Sequence, residues 1–345
     1  MATLSKHSPD SKLAIVIPVD LPRRPGDLIS KLERFVRAPG MAGMEIVIAH
    51  NDRGTKQDLA LRRTLGVLPH VRLFSARFYT GSVNSGFLRN RAVEFAEAPI
   101  ILLLDADIVS NPELFSECSN RVSSGEAPFI MLPCLYLTKW ASKRLITDKI
   151  SADEILDAYF SFRRRHFQHM ASPSSILFLR KDEYWEIGGF DEAFVGHGYE
   201  DFDFALRLAL HHGMIPICED LLENRSYRAP LLAEGFRKYL GHISLPYILE
   251  KKIAFHLFHK KPVGDSYYQA RAANAERFGR KVRDIMSRSS YDATAPSSLI
   301  DAFFSLCREV GVEARDYFVL FDTRPGYIDR LSTWTERFRF LIGQH

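Results

Sequence analysis

Asp105 and Asp107 close the segment PIILLLDADIV (residues 99–109), in which residues 100–104 are uniformly apolar. A run of that kind suits a strand buried on both faces of a parallel sheet. Its acids fall where the strand should end, at the edge where open α/β sheets bind ligands. Two-residue periodicity places Asp105 and Asp107 on one side, with small Ala106 between them. Two carboxylates side by side repel unless a cation joins them. One or two carboxylates completed by phosphate oxygens suit Mg²⁺ or Mn²⁺.

A second acidic element follows at residues 186–207, EIGGFDEAFVGHGYEDFDFALR. Gly188 and Gly189 form a tight turn. The loop Gly196-His197-Gly198-Tyr199 then delivers Glu200, Asp201 and Asp203 onto the start of a helix whose apolar positions are Phe202, Leu206 and Ala209. Its glycines let backbone and ligand approach closely, so the carboxylates are preorganised at a helix N-terminus. Alone, they also read as ordinary first-turn helix acids, worth up to about 1 kcal/mol; the acidic pair upstream favours chemistry. Asp203 reads as the partner of Arg207, four residues on.

These residues need a scaffold, and the sequence supplies one. Strands are expected at Leu13–Val19, Met44–Ala49, Val71–Phe74, Phe129–Leu132 and Ser174–Leu179, with helices over 27–37, 55–65, 111–122 and 151–170. Strand-helix alternation in the first part makes a doubly wound nucleotide-binding half. The loop Gly81–Gly86 opens a helix bearing Arg89, Asn90 and Arg91. Such a loop can set N–H groups and a guanidinium against a diphosphate. Within 151–170, the aromatics and arginines of residues 159–167 read as an amphipathic helix with snorkelling side chains.

Asp105-Ala-Asp107 and the ordered pattern from Gly188 to Asp203 resemble the metal site and the acceptor/catalytic segment of GT-A glycosyltransferases. The chain is most similar there to the β-1,4-galactosyltransferase C-terminal domain and to bacterial capsule and chondroitin-polymerase transferases, over about residues 12–275. The resemblance implies a UDP-sugar donor, with Pro18, Asp20 and Asp52 framing uracil and ribose, and with Arg89 and Asp105 near the diphosphate. It implies metal ligation by Asp105, Asp107 and His259, the last in a His-x-x-Pro-x-Gly pattern (His259, Pro262, Gly264) and preferred over His256. Asp201 takes the place of the catalytic base, Glu200 orients a sugar, and His197, Gly198, Tyr199 and Glu200 line the acceptor side. Where the galactosyltransferases have Trp-Gly-Gly this chain has His197-Gly198-Tyr199, which leaves acceptor specificity open. Related retaining transferases carry Asn where Asp201 stands, so inversion is the expectation.

Composition agrees. The 345 residues are 46% hydrophobic, and 46 basic against 42 acidic residues give a net charge of +4, too mild to argue for nucleic acid. Cys118, Cys134, Cys218 and Cys307 have no CxxC spacing, so neither a zinc ribbon nor a disulfide framework is indicated. The first twelve residues contain no apolar h-region, and no apolar run approaches the roughly 20 residues that cross a bilayer. The expected fold is α/β of GT-A type, a doubly wound nucleotide-binding sheet fused to an acceptor-binding half, plus a C-terminal helical extension. The expected divisions are a disordered N-terminus (1–11), a nucleotide-sugar-binding half (12–110), an acceptor/catalytic half (111–265) and the helical extension (266–345). In that extension Ser266–Ser287, Asp301–Val310 and Thr333–Ile342 read as helices, with Asn274 as a supporting contact. Arg277, Arg280, Lys281, Arg283 and Arg288 offer a face for an anionic membrane or a lipid-diphosphate-linked acceptor, or else are simply solvated. The expected setting is cytoplasmic, peripheral on the inner face of a bacterial membrane. The expected reaction is metal-dependent inverting transfer to a surface polysaccharide or lipid-linked glycan. Retaining transfer, or a non-catalytic nucleotide-sugar-binding scaffold, is the alternative.

Overall fold

A computed structural model describes residues 11–21, 25–225, 228–260, 266–288 and 297–323. The described residues form two compact units that interleave in sequence, one drawn from 1–131, 174–217 and 265–291, the other from 132–173, 218–264 and 292–345. None of the described helices is long and apolar enough to cross a membrane.

Along the chain, β1 (Leu13–Val19), α1 (Pro25–Arg37), β2 (Glu45–Asn51), α2 (Lys56–Leu65), β3 (Val71–Ala76) and α3 (Ser85–Phe95) lead to β4 (Ile100–Leu103). After α4 (Pro112–Ser123) and the short β5 (Ile130–Met131), the chain builds β6 (Cys134–Leu137), α5 (Lys139–Ile146), α6 (Ala152–Phe160) and β7 (Phe167–Ala171). Next come β8 (Leu177–Arg180), α7 (Lys181–Glu186), α8 (Glu200–His211), α9 (Phe236–Leu249) and β9 (Ala254–His256). The last described helices are α10 (Ser266–Gln269), α11 (Arg271–Arg288) and α12 (Leu299–Val310).

The first unit is built on a six-stranded sheet in the order β3-β2-β1-β4-β8-β5. β1 to β4 are parallel, whereas β8 runs antiparallel to both β4 and β5. Every residue of β2 and β4 is buried; β4 is all apolar, as a strand inside the sheet requires, whereas β2 buries Glu45, His50 and Asn51 with polar partners. From β1 the chain steps outward to β2 and β3, and then returns to place β4 on the other side of β1. The ends of β1 and β4 therefore flank the crevice where such sheets bind ligands. The helices that return the chain are capped: Thr55 and Asp58 form a reciprocal capping box on α2, Asn84 accepts from Phe87 N–H on α3, and Asn111 precedes Pro112 on α4.

The second unit holds a three-stranded sheet in the order β9-β6-β7. The helix expected over 151–170 ends at Phe160, and Phe167–Ala171 is instead strand β7, antiparallel to β6. Phe162 adopts a left-handed backbone (φ 57°), which no continuing α-helix tolerates, so the apolar periodicity carried past a real stop. The helix expected over 266–287 is divided at Ala270 into α10 and α11. The segment expected over 333–342 lies outside the described residues.

Buried Glu45 fixes the approach to β4. Its carboxylate accepts from Arg72 Nη1 (2.7 Å), Glu97 N–H (3.0 Å) and Ala98 N–H (2.9 Å). Glu45→Ala leaves those donors unsatisfied and should lower unfolding stability by about 3 kcal/mol, read as a fall in the urea midpoint at unchanged m-value.

Candidate active site

Asp105 and Asp107 follow β4, but the chain does not stay extended through them. Ile108 N–H donates to Asp105 O (3.2 Å), so the segment turns, and the two carboxylates meet different partners. Asp105 accepts from Arg89 Nη2 at 2.7 Å and from the Ser175 hydroxyl at 3.4 Å, and its side chain stays 37% exposed. Asp107 is buried and accepts from Lys31 Nζ at 2.7 Å; Lys31, itself buried, also reaches Asp27 at 3.0 Å. Lys31 carried no functional reading in the sequence, since a lysine inside an amphipathic helix is an unremarkable pattern.

Arg89 is the centre of the site. It is 2% exposed, and besides Asp105 it holds Asp201, whose Oδ1 lies 3.0 Å from Nη1. Phe190 covers the guanidinium from one face, with the cation 5.0 Å from the ring centroid. Burial alone would lower the arginine's pKa; the charges of Asp201, Asp105 and Glu200, in that order, raise it instead, so it stays charged. Glu200 and Asp201 open α8. Burial pushes both carboxyls above the ordinary carboxylate range; for Glu200 the neighbouring charge of Asp201 adds to this, and for both Arg89 opposes it. Glu200 Oε2 and Asp201 Oδ1 are buried atoms without a hydrogen bond among the described residues. The sequence reading set Arg89 against a diphosphate; its partners here are Asp105 and Asp201.

Asn90, beside Arg89 on α3, fixes the turn that leads to these acids. Its carbonyl oxygen accepts from Tyr184 OH (2.6 Å) and Phe190 N–H (2.9 Å), and its amide donates to Phe190 O (3.0 Å) and Glu192 Oε1 (2.9 Å). Gly189 (φ 63°) has room for no side chain, because a Cβ would sit 2.8 Å from Asn90 Oδ1. Two adjacent residues of one helix thus hold both acidic elements.

Helices α10 and α11 close over the glycine loop. His197 N–H donates to Tyr267 O (2.9 Å), and Asn274 Nδ2 donates to Val195 O (3.1 Å) and His197 O (3.4 Å). Lys281 bridges Asp191 (2.8 Å) and Asp203 (2.7 Å), and Asp203 also pairs with Arg207 at 2.9 Å. Gly198 (φ 92°) lies under Arg271, where a Cβ would come 2.6 Å from Nη1. Tyr199 is left-handed (φ 74°), and its ring packs against Phe278 (5.6 Å) and Phe202 (5.9 Å) under the Arg271 guanidinium. Half-buried His197 lies between the rings of Tyr267 (5.3 Å) and Tyr268 (4.9 Å). Phe204, rather than Phe202, is the fully buried aromatic of α8, stacked 4.4 Å from Phe190.

At the ends of β1 and β2 a second polar group surrounds Asp20. Its carboxylate accepts from Arg53 Nε (2.7 Å) and Nη2 (2.7 Å), Tyr79 OH (2.8 Å) and Asn51 Nδ2 (3.2 Å). Half-buried Pro18 lies just before it in β1. Asp52 accepts from Gly54 N–H (2.8 Å) and pairs with Arg62. Beneath them, buried His50 binds Asp58 (3.0 Å) and Ser75 (2.8 Å), and Asp58 accepts from Arg53 N–H (3.1 Å), which locks the loop. Burial lowers the His50 pKa, so the ring serves as a neutral link. Arg53 and Tyr79 carried no reading in the sequence; the one available sign was an arginine directly after the Asn51-Asp52 turn.

In the second unit, buried His256 stacks on Tyr136 (4.2 Å), and the His259 ring lies 5.4 Å from it. Pro262 and Gly264 fall outside the described residues, so the spacing expected around His259 has no structural counterpart to set beside it. The chemistry of the donor set fits a divalent ion. Carboxylate and imidazole ligands suit Mn²⁺, and Asp105 keeps an oxygen whose one hydrogen bond is long, at 3.4 Å.

A parallel-rich sheet with acids at its switch point, and a second acidic loop tied to them, give the α/β architecture of the GT-A class. The chain belongs to a defined family within it, described as "Glycosyltransferase like family 2", whose profile matches residues 70–283. No curated protein matches it in sequence. Similar solved structures include residues 1–349 of S. aureus TarS, at 15% identity and a TM-score of 0.39, covering 58% of this chain and 55% of that one. The same TarS fragment in complex with UDP-GlcNAc is 11% identical with a TM-score of 0.39, covering 96% and 79%. The catalytic domain of Drosophila β1,4-galactosyltransferase 7, in complex with xylobiose, is 18% identical with a TM-score of 0.28, covering 57% and 60%. The match to the first TarS structure spans about half of that chain's length, 55%.

Replacing Arg89 by Met removes the cation that, among the described residues, pairs with both Asp105 and Asp201. The variant should lose about 1.5–3 kcal/mol of stability at neutral pH, because buried Glu200 and the part-exposed Asp201 and Asp105 lose their counter-charge. It should regain part of this as the pH falls and those carboxyls protonate, a reversal that denaturation curves at two pH values will reveal.

Proposed function

We propose that this chain transfers a sugar from a UDP-sugar to a hydroxyl of a surface polysaccharide or lipid-linked glycan, with inversion at the anomeric carbon and with the help of Mn²⁺ or Mg²⁺. The observation that carries this reading is the convergence of Asp105, at the sheet's ligand-binding edge, and Asp201, at the start of α8, on one buried guanidinium. That arrangement brings a donor-side carboxylate and a candidate base to opposite ends of a single rigid group.

Asp201 takes the acceptor proton. Its Oδ1 lies against Arg89 without a hydrogen bond, and the side chain remains 28% exposed, so an incoming hydroxyl can reach the carboxylate. Arg89 holds the base in place, and Glu200 orients a sugar hydroxyl through its own unpartnered oxygen. Asp20, its side chain covered by Arg53, Asn51 and Tyr79, holds those residues as the polar wall for the base and ribose of the donor. Asp105, Asp107 and His259 are the proposed metal ligands, with neighbouring His256 as the second imidazole. The ion would neutralise charge on the departing diphosphate. Inversion follows from the Asp at position 201, which supports direct attack by the acceptor hydroxyl.

The deciding experiment is binding of a panel of UDP- and GDP-sugars, with and without Mn²⁺, to wild type and Asp105→Ala. Metal-dependent binding of one UDP-sugar, lost in the variant, is expected; binding of none would overturn the reading. With that donor, Asp201→Asn should cut kcat by about 10³-fold while donor affinity changes little, and the anomeric configuration of the product is read by NMR.

The pH profile carries an independent test. The base works only when deprotonated, and burial raises its pKa, so activity is present above the raised value and lost as pH falls through it. The acid limb of kcat/KM should therefore lie above the range of an exposed aspartate. A limb at the ordinary position would remove Asp201 from the role.

A further inference from the structure

The second unit carries a cluster of cations that transfer chemistry does not use. Trp140 lies in the first turn of α5 with two guanidinium groups over its indole, Arg165 at 4.2 Å and Arg144 at 5.0 Å. The imidazole of His166 meets the same ring edge-on at 4.9 Å. Thr138 ties the two segments together: its hydroxyl donates to Arg165 O (2.7 Å) and its N–H to His166 O (3.1 Å). Lys139, Lys143 and Arg163 are exposed on these segments, and Lys251 Nζ lies 5.2 Å from the centre of the Phe160 ring at the end of α6.

Arg164 pairs with Asp322, yet none of Lys139, Lys143, Arg144, Arg163, Arg165 and Lys251 pairs with a carboxylate among the described residues. Arg144 Nε is buried without a hydrogen-bond partner. Residues 139–165 hold seven Lys and Arg against four Asp and Glu, so the surplus is in the sequence itself. Residues 324–345, outside the described structure, add four arginines against Asp329 and Glu336 and do not redress it. Cation–π attraction to Trp140 holds two of these cations in place, but it leaves the charge uncancelled.

The same turn presents an apolar tip. Phe162 is 39% exposed and left-handed (φ 57°), a conformation unfavourable to an L-residue. Consecutive hydrogen bonds impose it: Ser161 N–H to Asp157 O (2.9 Å), Phe162 N–H to Tyr159 O (3.0 Å), Arg163 N–H to Ala158 O (2.7 Å) and Arg164 N–H to Phe162 O (2.9 Å). A turn fixed this firmly, with strain spent on holding an aromatic ring in water, has a use for that ring.

We propose that this face docks on an anionic membrane surface, with Phe162 entering the headgroup region and the flanking arginines and lysines meeting lipid phosphates. Aromatic tips among cations suit the membrane interface, where ring and charge are both satisfied. A soluble phosphate would want an enclosing cavity, whereas residues 161–163 are all exposed. The inference stands on this unit alone and does not depend on the transferase reading.

The test is co-sedimentation of the full chain with phosphatidylcholine vesicles, with and without phosphatidylglycerol, at low and high salt. Binding should require phosphatidylglycerol and weaken with salt. The double variant Arg144→Gln, Arg165→Gln should lose about 30-fold in partitioning, from about 1 kcal/mol per cation. Arg280→Gln with Arg283→Gln, on the exposed face of α11, should partition as wild type. Equal binding to both vesicle types, loss only in the α11 variant, or displacement by soluble glycerol phosphate would each overturn the proposal. If the double variant melts early, Phe162→Ser decides: several-fold weaker partitioning is expected, and an unchanged value refutes it.

Discussion

A guanidinium buried to 2% exposure cannot exist alone, and the architecture of the first unit follows from how Arg89 is satisfied. Removing such a charge from water costs several kcal/mol unless partners are close and well placed. Here those partners come from two distant stretches of chain, Asp105 after β4 and Asp201 at the head of α8. The carboxylates would repel each other without the arginine, and the arginine would be uncompensated without them. Each motif is therefore held in place by the other through one side chain, and the crevice between them has a fixed width.

The surrounding contacts keep that arrangement from relaxing. Asn90 spends its whole hydrogen-bonding capacity on Tyr184, Phe190 and Glu192, so α3 cannot rotate without freeing buried groups. Lys281 joins Asp191 to Asp203 from the outside, and Asn274 holds the backbone of the glycine loop. Rigidity at Asp201 thus comes from two helices at once, α3 and α11.

Local pattern made much of this legible. Strand β1 lies at Leu13–Val19 as its apolar run demands, and the acids of both motifs fall at the ends of the elements expected to carry them. What the sequence concealed is the direction of side chains across long separations. Arg89 in a glycine-opened helix looks outward by local rules, and only the folded sheet turns it toward Asp105. Lys31 against Asp107, and Arg53 with Tyr79 around Asp20, are likewise pairings between elements that no periodicity encodes. The helix carried past Phe160 failed for a different reason. Its apolar spacing persists through residue 167, while the stop lies in backbone conformation at Phe162 and in the pairing of β7 with β6.

The left-handed Tyr199 has a bearing on how the protein is made. Its strained backbone and buried ring are held by Phe278 and Arg271 of α11, the last helix that the first unit contributes. Chains emerge from the ribosome N-terminus first, so the sheet, the acidic turn and α8 all exist before that helix does. Until α11 emerges, nothing it contributes opposes the strain at Tyr199, and the turn that aims Asp201 is free to relax. Because the second unit's residues 218–264 are made in between, assembly of the loop ahead of α8 is the closing event of the first unit's biogenesis, after most of the other unit has been synthesised.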